Sequence, residues 1–190
     1  MTEALQHHIQ KILAGHTMPV DEMTTFFTTK TVKKGEILLN ENEPCHDIFF
    51  VNKGCLYMFY NHNNKKHVVH FALENWWITD YKTFSEGRPA GFAITAMEDS
   101  VITFMSREKY DNLLLQFPLM ALYFNKIHER AYGAALFKQK TFATVSKEDF
   151  YKHFSNTYPA LMPRIPDAVF AAYMDVSPET LQKIKAAYVS

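Results

Sequence analysis

Short apolar runs punctuated by turn-forming residues dominate the stretch from residue 33 to residue 60. The apolar runs are Ile37 to Leu39, Ile48 to Val51 and Cys55 to Tyr60, and they are separated by Gly35, Asn42-Glu43-Pro44 and Asn52-Lys53-Gly54. Because these intervening residues tolerate the backbone angles of tight turns, the alternation predicts several short β-strands. Strands this short cannot bury both faces alone, so we expect them to roll up together into a small barrel or sandwich.

The composition limits the classes of protein that this chain can represent. It has 190 residues, of which 47% are hydrophobic and 15% aromatic, and this is enough for a real core in one large domain or two small ones. Twenty basic side chains balance twenty acidic ones, so no whole-chain field gathers nucleic acid or anionic lipid. Any contact with DNA must then be local.

The sequence also predicts the compartment. No apolar run has the length of a membrane span, and the segment that starts at Met1 lacks the basic and apolar regions of a signal peptide. We therefore expect a cytoplasmic protein with no membrane partner. Cys45 and Cys55, the only cysteines, lie in predicted strands, which favours reduced core thiols over a disulfide framework or cluster ligands.

Catalytic and metal-binding patterns are not apparent in the sequence. His67 and His70 are three residues apart in a predicted strand, so they face opposite sides and cannot chelate one ion. The cupin alternative, a metal enzyme on a similar β-roll, would need clustered histidines and a glutamate, and no nucleophile with its base stands out either. We predict no catalytic residue, no metal site and no certain cofactor, and we expect that the chain is not an enzyme.

Local patterns place further elements along the chain. Thr2 to Ala14 carries apolar residues at helical spacing and stops at Gly15, which predicts a short amphipathic helix, and a second short helix is expected after Pro19. Asn61 to Lys66 predicts a polar hairpin tip, after which His67 to Leu73 resumes a strand.

Longer helices follow the predicted strands. Ser106, with an acidic residue in the next turn, predicts a helix start, and Pro118 should break that helix or begin a second segment. Beyond Pro118, apolar and small residues recur at steps of four and three: Met120, Phe124, Ile127, Ala131 and Ala134. This heptad spacing predicts a helix–helix seam that allows close approach.

The last fifty residues have the pattern of a small helical unit. Ser146 with acids in the first turn opens a helix that runs towards Pro159. Residues 168–185 then fit two helices joined by a tight turn at Met174-Asp175, with Val176 filling the angle. The second of these helices is capped by Ser177, and Pro178 stands at its first position.

Several of these motifs resemble the Crp/Fnr transcription regulators. Lys34 to Leu38, Glu41 to Pro44 and Ile48 to Leu56 resemble the opening of the cyclic-nucleotide-binding domain of that family, and residues 168–185 resemble its helix-turn-helix. Asn42 stands where a glycine is usual, and asparagine readily accepts positive φ. The resemblance implies an α+β fold with an N-terminal double-stranded β-roll sensor (1–117), a long dimerisation helix (118–145) and a C-terminal helix-turn-helix unit (146–190).

The ligand cassette of the family has no full counterpart here. In the family, a Gly-Glu pair holds the ribose and an Arg-Ser or Arg-Thr pair takes the cyclic phosphate; these pairs fall near Thr79-Asp80 and Ala90-Gly91. We therefore expect that cyclic AMP does not bind in the usual way and that the effector is unknown or absent. The candidate pocket residues are Trp76, Trp77, Asp80 and Arg88. The two indoles form either a lid or part of the core, and core packing is favoured.

The resemblance also implies a two-fold homodimer through the helix after Pro118. The predicted interface residues are Phe124, Ile127, Ala131 and Ala134. The alternative is that this stripe packs on its own β-roll, and both arrangements can hold for different faces. Counting from Pro118 places the adenine-contacting Thr-Ser pair of the family at Ala135-Leu136, whose side chains cannot hydrogen-bond a base.

For DNA recognition, the resemblance implies that Pro178, Glu179 and Lys183 occupy the base-reading positions. The full predicted DNA-binding set is Ser177, Glu179, Thr180, Gln182, Lys183 and Lys185. Proline donates no hydrogen bond and lysine lacks the bidentate fork of arginine, so we expect weak base readout. Residues 141–190 carry five basic and five acidic side chains, and we expect no β-hairpin wing after the second helix.

The sequence therefore predicts a Crp/Fnr-like regulator that binds double-stranded DNA as a homodimer. A small-molecule effector and RNA polymerase are further candidate partners. The alternative is a dimeric ligand-binding or protein-interaction sensor that has lost DNA binding, with a degenerate helix-turn-helix kept for packing. The target sequence and the direction of regulation do not follow from the residues.

Overall fold

The computed structural model describes residues 1–189 and has the predicted α+β architecture. The strands are β1 (Thr28–Val32), β2 (Ile37–Leu39), β3 (Asp47–Lys53), β4 (Leu56–His62), β5 (Lys65–Ala72), β6 (Trp77–Ile78), β7 (Ala93–Ala96) and β8 (Ser100–Ser106). The helices are α1 (Glu3–Ile12), α2 (Tyr81–Glu86), α3 (Arg107–Gln116), α4 (Leu119–Thr144), α5 (Lys147–Thr157), α6 (Asp167–Met174) and α7 (Pro178–Val189).

The strands form two four-stranded antiparallel sheets, with the orders β1-β8-β3-β6 and β2-β7-β4-β5. Strand β8 lies between β1 and β3, where Phe49 is opposite Phe104, and their side chains pack at a ring separation of 6.3 Å. Inward-facing residues of both sheets, such as Ile48, Leu56 and Ile94, are fully buried. The short apolar runs therefore fold as predicted, because each strand covers part of its neighbours from water.

Turn chemistry sets the connections of the β-roll. Asn42 has φ 66°, which confirms that asparagine takes a conformation usually given to glycine. Gly54 has φ 102°, and a Cβ added there would lie 2.1 Å from Ser100 Oγ, so only glycine fits between β3 and β4. Asn63 and Asn64 also have positive φ and form the two-residue turn between β4 and β5, as the hairpin prediction required.

Side-chain caps determine where the helices start. The hydroxyls of Thr2, Ser106 and Ser146 accept backbone N–H groups from the first turns of α1, α3 and α5. Pro118 lies between α3 and α4, which confirms the predicted break. The second short helix expected after Pro19 is only a 3₁₀ turn over Thr24–Phe26.

The chain divides into two compact units. The first comprises residues 1–60 and 70–128, and the second comprises residues 61–69 and 129–190. Helix α4 contributes residues to both units, and the tip of the β4–β5 hairpin belongs to the second. The three-part division at residues 117/118 and 145/146 stays a prediction about function.

Two features are absent from residues 1–189. None of the helices described has both the length and the apolar character required to cross a membrane. Within the same range, no group of three or more His, Cys, Asp or Glu side chains could hold a metal ion.

Candidate functional site

Asp80 organises the segment that corresponds to the ligand cassette. It is buried, with 6% of its surface exposed, and its Oδ1 accepts the Thr83 backbone N–H at 3.4 Å to cap α2. Its Oδ2 accepts the Gly91 backbone N–H at 2.9 Å. The carboxylate thus joins the two ends of the cassette and supplies an internal acceptor for an amide that could otherwise bind an anion.

The backbone next to Gly91 is also hydrogen-bonded. The Ala90 N–H donates to the Glu43 carbonyl at 2.8 Å, and the Ala90 carbonyl accepts the Asn42 N–H at 2.8 Å. Both amides at the positions of the phosphate-binding pair therefore have partners within the protein. A phosphate there would have to displace these bonds and approach the negative charge of Asp80.

Thr79, Cys45 and Asp47 form a small polar cluster next to Asp80. The Thr79 hydroxyl donates to the Asp47 carbonyl at 2.8 Å, and Cys45 Sγ lies 3.2 Å from the same hydroxyl. Burial raises the pKa of Asp47, although His46 and Lys30 oppose that shift. Cys45 and Cys55 are both buried free thiols, as the sequence predicted.

Two candidate pocket residues lie at the surface. The side chain of Arg88 is 71% exposed, and its Nε is 3.4 Å from Glu86 Oε2. Trp76 is 37% exposed and stacks on His70 with a ring separation of 5.8 Å. Arg88 and Trp76 are thus exposed, whereas Asp80 is buried, and a pocket formed by all four residues stays a prediction.

Trp77 belongs to the core of the first unit, which agrees with the favoured interpretation. Its Nε1–H donates to the Tyr123 hydroxyl at 2.8 Å, and its ring is 5.2 Å from Phe50 and 5.3 Å from Phe124. His8 Nδ1 lies 2.7 Å from the same Tyr123 hydroxyl. The indole is therefore fixed by both packing and hydrogen bonding, and it cannot act as a mobile lid.

The first turns of α4 correct part of the predicted dimer seam. Phe124 is 1% exposed and packs between Trp77 and Tyr110, so its side chain cannot reach a partner helix. Ile127 is half-buried, whereas Ala131 and Ala134 are exposed. At 3.6 residues per turn, both alanines lie on the same side of α4 as Phe124. The first part of the predicted seam therefore belongs to the core of the first unit, because Phe124 packs against its own chain.

A different side of α4 exposes large apolar side chains. Leu122, Tyr132 and Leu136 are 37%, 68% and 48% exposed. Helical periodicity places Leu122, Gly133 and Leu136 on the side of α4 opposite Phe124, and Tyr132 at the edge of that side. We name these four residues the outer stripe. Leu122 and Leu136 are two heptads apart, so the outer stripe has the spacing of a helix–helix seam.

Tyr81 and His128 form an unusual buried contact in the first unit. Their rings meet edge-to-face at 4.5 Å, and neither Tyr81 Oη nor His128 Nε2 has a hydrogen-bond partner among the described residues. Burial raises the pKa of Tyr81 and lowers the pKa of His128. No sequence signal marks this pair, because the two residues are far apart in the chain.

The C-terminal helices pack as the helix-turn-helix pattern predicts. Phe170 and Met174 of α6 and Leu181 and Ile184 of α7 are buried. Asp175 ends α6 with φ 53°, a left-handed conformation that turns the chain sharply. The Ser177 hydroxyl then accepts the Thr180 N–H at 3.2 Å and caps α7.

The six predicted DNA-binding residues have different environments in the second unit. Ser177 and Thr180 are exposed at the start of α7, where their hydroxyls lie 3.1 Å apart. Glu179 and Lys183 are exposed one turn apart on α7. A hydrogen bond with Ser177, followed by contributions from its backbone and Lys183, lowers the pKa of Glu179. All four of these residues are therefore accessible to a partner.

Asp167 engages the other two predicted DNA-binding residues. Its Oδ2 accepts Gln182 Nε2–H and its Oδ1 accepts the Lys185 ammonium, each at 2.7 Å. The Lys185 hydrogen bond is the main reason that the pKa of Asp167 is lowered. Gln182 and Lys185 therefore help hold α7 to α6. No local sequence pattern predicts this role, because Asp167 lies in another helix, 15 residues before Gln182 and 18 residues before Lys185.

Comparisons with known proteins agree with this geometry. Residues 29–117 match the cyclic nucleotide-binding domain family. A search of curated protein sequences finds no match.

Solved structures share the fold at low sequence identity. The c-di-GMP responsive global regulator CLP of Xanthomonas campestris is 12% identical, with a TM-score of 0.72 over 89% of each chain. A putative crp/fnr family transcriptional regulator from Eubacterium rectale is also 12% identical, with a TM-score of 0.72 over 93% of this chain and 85% of that one. A CooA mutant from Carboxydothermus hydrogenoformans is 14% identical, with a TM-score of 0.69 over 94% and 82% of the respective chains.

These findings confirm the resemblance to Crp/Fnr regulators that the sequence motifs indicated. The match over residues 29–117 lies within the β-roll, and the described chain has the fold of the solved regulators. At these identities, the likeness to solved structures extends to the fold alone.

The orphaned His128 nitrogen predicts acid sensitivity. Because the folded state disfavours the charged imidazole, protonation favours unfolding, and stability should fall as the pH drops below the unfolded pKa of about 6.5. His128→Leu removes the buried nitrogen, so we expect it to raise the free energy of unfolding by about 1 kcal/mol at neutral pH, and by more near pH 5. Urea unfolding at neutral pH and near pH 5 measures the free energy of unfolding of the variant and the wild-type protein. His7→Gln, which removes an exposed imidazole, is the control; an unchanged pH dependence in the His128 variant would contradict the prediction.

Proposed function

We propose that this chain is a cytoplasmic, dimeric transcription regulator of the Crp/Fnr type that binds double-stranded DNA through α7. The observation that carries the proposal is the arrangement of α6, the left-handed turn at Asp175 and the capped helix α7. This arrangement leaves Glu179 and Lys183 exposed on the outer face of α7. In helix-turn-helix proteins, the N-terminal residues of the second helix contact base edges in the major groove.

The chemistry of the exposed residues supports recognition of specific bases. A glutamate accepts a hydrogen bond from the cytosine amino group, and a lysine donates to guanine acceptors. Glu179 and Lys183 are the two residues of α7 that offer this pair of functions at base-reading positions. The Ser177 and Thr180 hydroxyls, which are exposed at the start of the helix, suit contact with the phosphate backbone.

The outer stripe of α4 supports the dimer. Leu122, Tyr132 and Leu136 leave apolar surface in water on a long helix, and Gly133 allows a second helix to come close. A two-fold axis along this helix pairs each outer stripe with its copy, since a two-fold interface is self-complementary. The dimer then presents two recognition helices to the two halves of a DNA site.

The β-roll is proposed to work without cyclic AMP in its usual position. The amides of Ala90 and Gly91 are bonded to Glu43 and Asp80, and Arg88 pairs with Glu86 at the surface. A different effector, or none, then sets the state of the regulator. Non-enzymatic function is consistent with the family of the domain.

A second candidate function is a dimeric ligand-binding or protein-interaction sensor without DNA binding. The observation in its favour is that Asp167 engages Gln182 and Lys185, which removes two candidate contacts from the DNA-facing set. DNA binding by the whole protein separates the two candidates.

Selection from a random duplex library tests DNA binding directly. We expect the protein to enrich a two-fold symmetric sequence and its affinity to fall steeply with salt. Lys183→Ala should weaken binding to the selected site by about 1–3 kcal/mol and relax specificity at one base pair per half-site. Lys11→Ala, which removes an exposed lysine from α1, should leave binding unchanged. If the wild-type protein binds no duplex even at low salt, the sensor is the better interpretation.

The proposed dimer predicts a specific effect of charge on the outer stripe. Leu136→Glu places two carboxylates near the two-fold axis, and their repulsion and desolvation should convert the dimer to a monomer. Light scattering coupled to gel filtration measures the mass of each species. Leu115→Glu, at an exposed leucine on α3, is the matched control and should stay dimeric. A monomeric wild-type protein would refute the dimer.

The bonded cassette predicts that cyclic nucleotides bind poorly. Titration of cyclic AMP or cyclic GMP to about 1 mM should give no saturable change in tryptophan fluorescence, since a Kd above this value corresponds to less than about 4 kcal/mol of binding. Asp80→Asn keeps one acceptor oxygen and removes the charge. Binding by this variant alone would identify the carboxylate as the excluding group, whereas saturation of the wild-type protein in the micromolar range would show that the cassette is functional.

A further inference from the structure

The tip of the β4–β5 hairpin lies in the same compact unit as the helix-turn-helix. We name residues 61–69 the basic hairpin, because Lys65 and Lys66 are charged and no acidic residue occurs among them. Asn63 and Asn64 form its turn with φ 51° and 57°. Residues 61–66 are all exposed.

Two contacts hold the basic hairpin within this unit. Lys65 Nζ lies 2.6 Å from Asp175 Oδ1, and His67 Nδ1 lies 3.6 Å from the same oxygen. Further along β5, the Lys138 ammonium donates to the Val69 carbonyl at 2.5 Å and stands 3.9 Å over the ring of Tyr173. The hairpin is therefore positioned against the turn between α6 and α7.

The Lys65–Asp175 pair matters through charge more than through stability. Both side chains are at least half exposed, and ion pairs of this kind contribute about 1 kcal/mol or less. The hydrogen bond from Lys65 is the main reason that the pKa of Asp175 is lowered. Asp175 thus stays ionised, and Lys65 neutralises a negative charge two residues before the cap of α7.

The basic hairpin changes the charge balance of the whole unit. Residues 141–190 are neutral, with five basic and five acidic side chains. Residues 129–190 carry eight basic and six acidic side chains, and Lys65 and Lys66 raise the unit to ten against six. Non-specific affinity for DNA comes from phosphate neutralisation, so these two lysines supply a large part of the excess positive charge.

We propose that the basic hairpin is an auxiliary phosphate-contacting element of the DNA interface; this inference rests on the proposed DNA-binding function. In a helix-turn-helix, the first helix crosses the phosphate backbone and the second enters the groove, so the connecting turn lies beside a phosphate strand. Lys65 removes the repulsion between Asp175 and that strand and retains further N–H donors. Lys66, which is exposed, adds a second positive charge beside it. The contact reads no base and raises affinity for all sequences alike.

Salt-dependent binding of the full-length protein to its selected duplex and to a random duplex tests this inference. Lys66→Gln should weaken both complexes by the same factor and reduce the rise in Kd between 50 and 200 mM salt by about threefold, as expected for one lost phosphate contact. Lys65→Gln should also weaken both, because it exposes the charge of Asp175. Asp175→Asn in the Lys65→Gln background should restore much of the lost affinity, since asparagine keeps the left-handed turn without the charge.

The matched control is Lys34→Gln, which removes an exposed lysine from the first unit and should leave Kd and its salt dependence unchanged. Urea unfolding should show that the hairpin variants remain as stable as the wild-type protein. Unchanged DNA binding by Lys65→Gln and Lys66→Gln overturns the inference alone. Tighter binding by Lys65→Gln also overturns it, because the ion pair would then restrain the helix-turn-helix. Absence of DNA binding by the wild-type protein overturns both this inference and the proposed function.

Discussion

The hydroxyl of Tyr123 fixes the orientation of α4 in the first unit. It accepts the indole N–H of Trp77 and lies within hydrogen-bond distance of His8, so a strand residue and an α1 residue both meet one atom of the long helix. Phe124 and Met120 fill the surrounding core. Leu122 of the outer stripe lies on the side of these first turns that faces away from the core.

The backbone amides of the cassette are satisfied by the chain although the Gly-Glu and Arg-Ser pairs that the resemblance implies are not present. Asp80 caps α2 and accepts the Gly91 amide, and Glu43 accepts the amide of Ala90. The loop is thereby satisfied by the chain itself, and its ordered conformation needs no bound anion. The match to the cyclic nucleotide-binding domain therefore describes the architecture, while the hydrogen bonds of these amides govern what the cassette can bind.

Charge in the second unit is distributed by contacts that cross between elements. Asp167 draws Gln182 and Lys185 to the α6–α7 junction, whereas Asp175 draws Lys65 of the basic hairpin to the turn. The first contact reduces the set of residues on the open face of α7, and the second brings positive charge to the turn. In the proposed regulator, base recognition then rests on few side chains, and the general attraction for phosphate comes partly from outside the helix-turn-helix.

Local sequence patterns were sufficient for the strands, turns and caps of this protein. Asn42, Ser106, Ser146 and Pro118 each act through their own backbone or the adjacent turn, so their effects follow from residue type and order. Three features did not follow from the sequence: the burial of Phe124 in its own core, the closure of the cassette by Asp80 and the engagement of Lys185 by Asp167. Each depends on which residue, distant in the chain, lies next to the side chain in the folded protein. A periodic apolar stripe such as the one that contains Phe124 does not indicate whether the core of the same chain or a partner chain covers it. Sequence alone determined the elements and their resemblance to the Crp/Fnr regulators. Only the tertiary structure decided which polar and apolar groups remained available for binding, because packing and hydrogen bonding are satisfied between residues far apart in the chain.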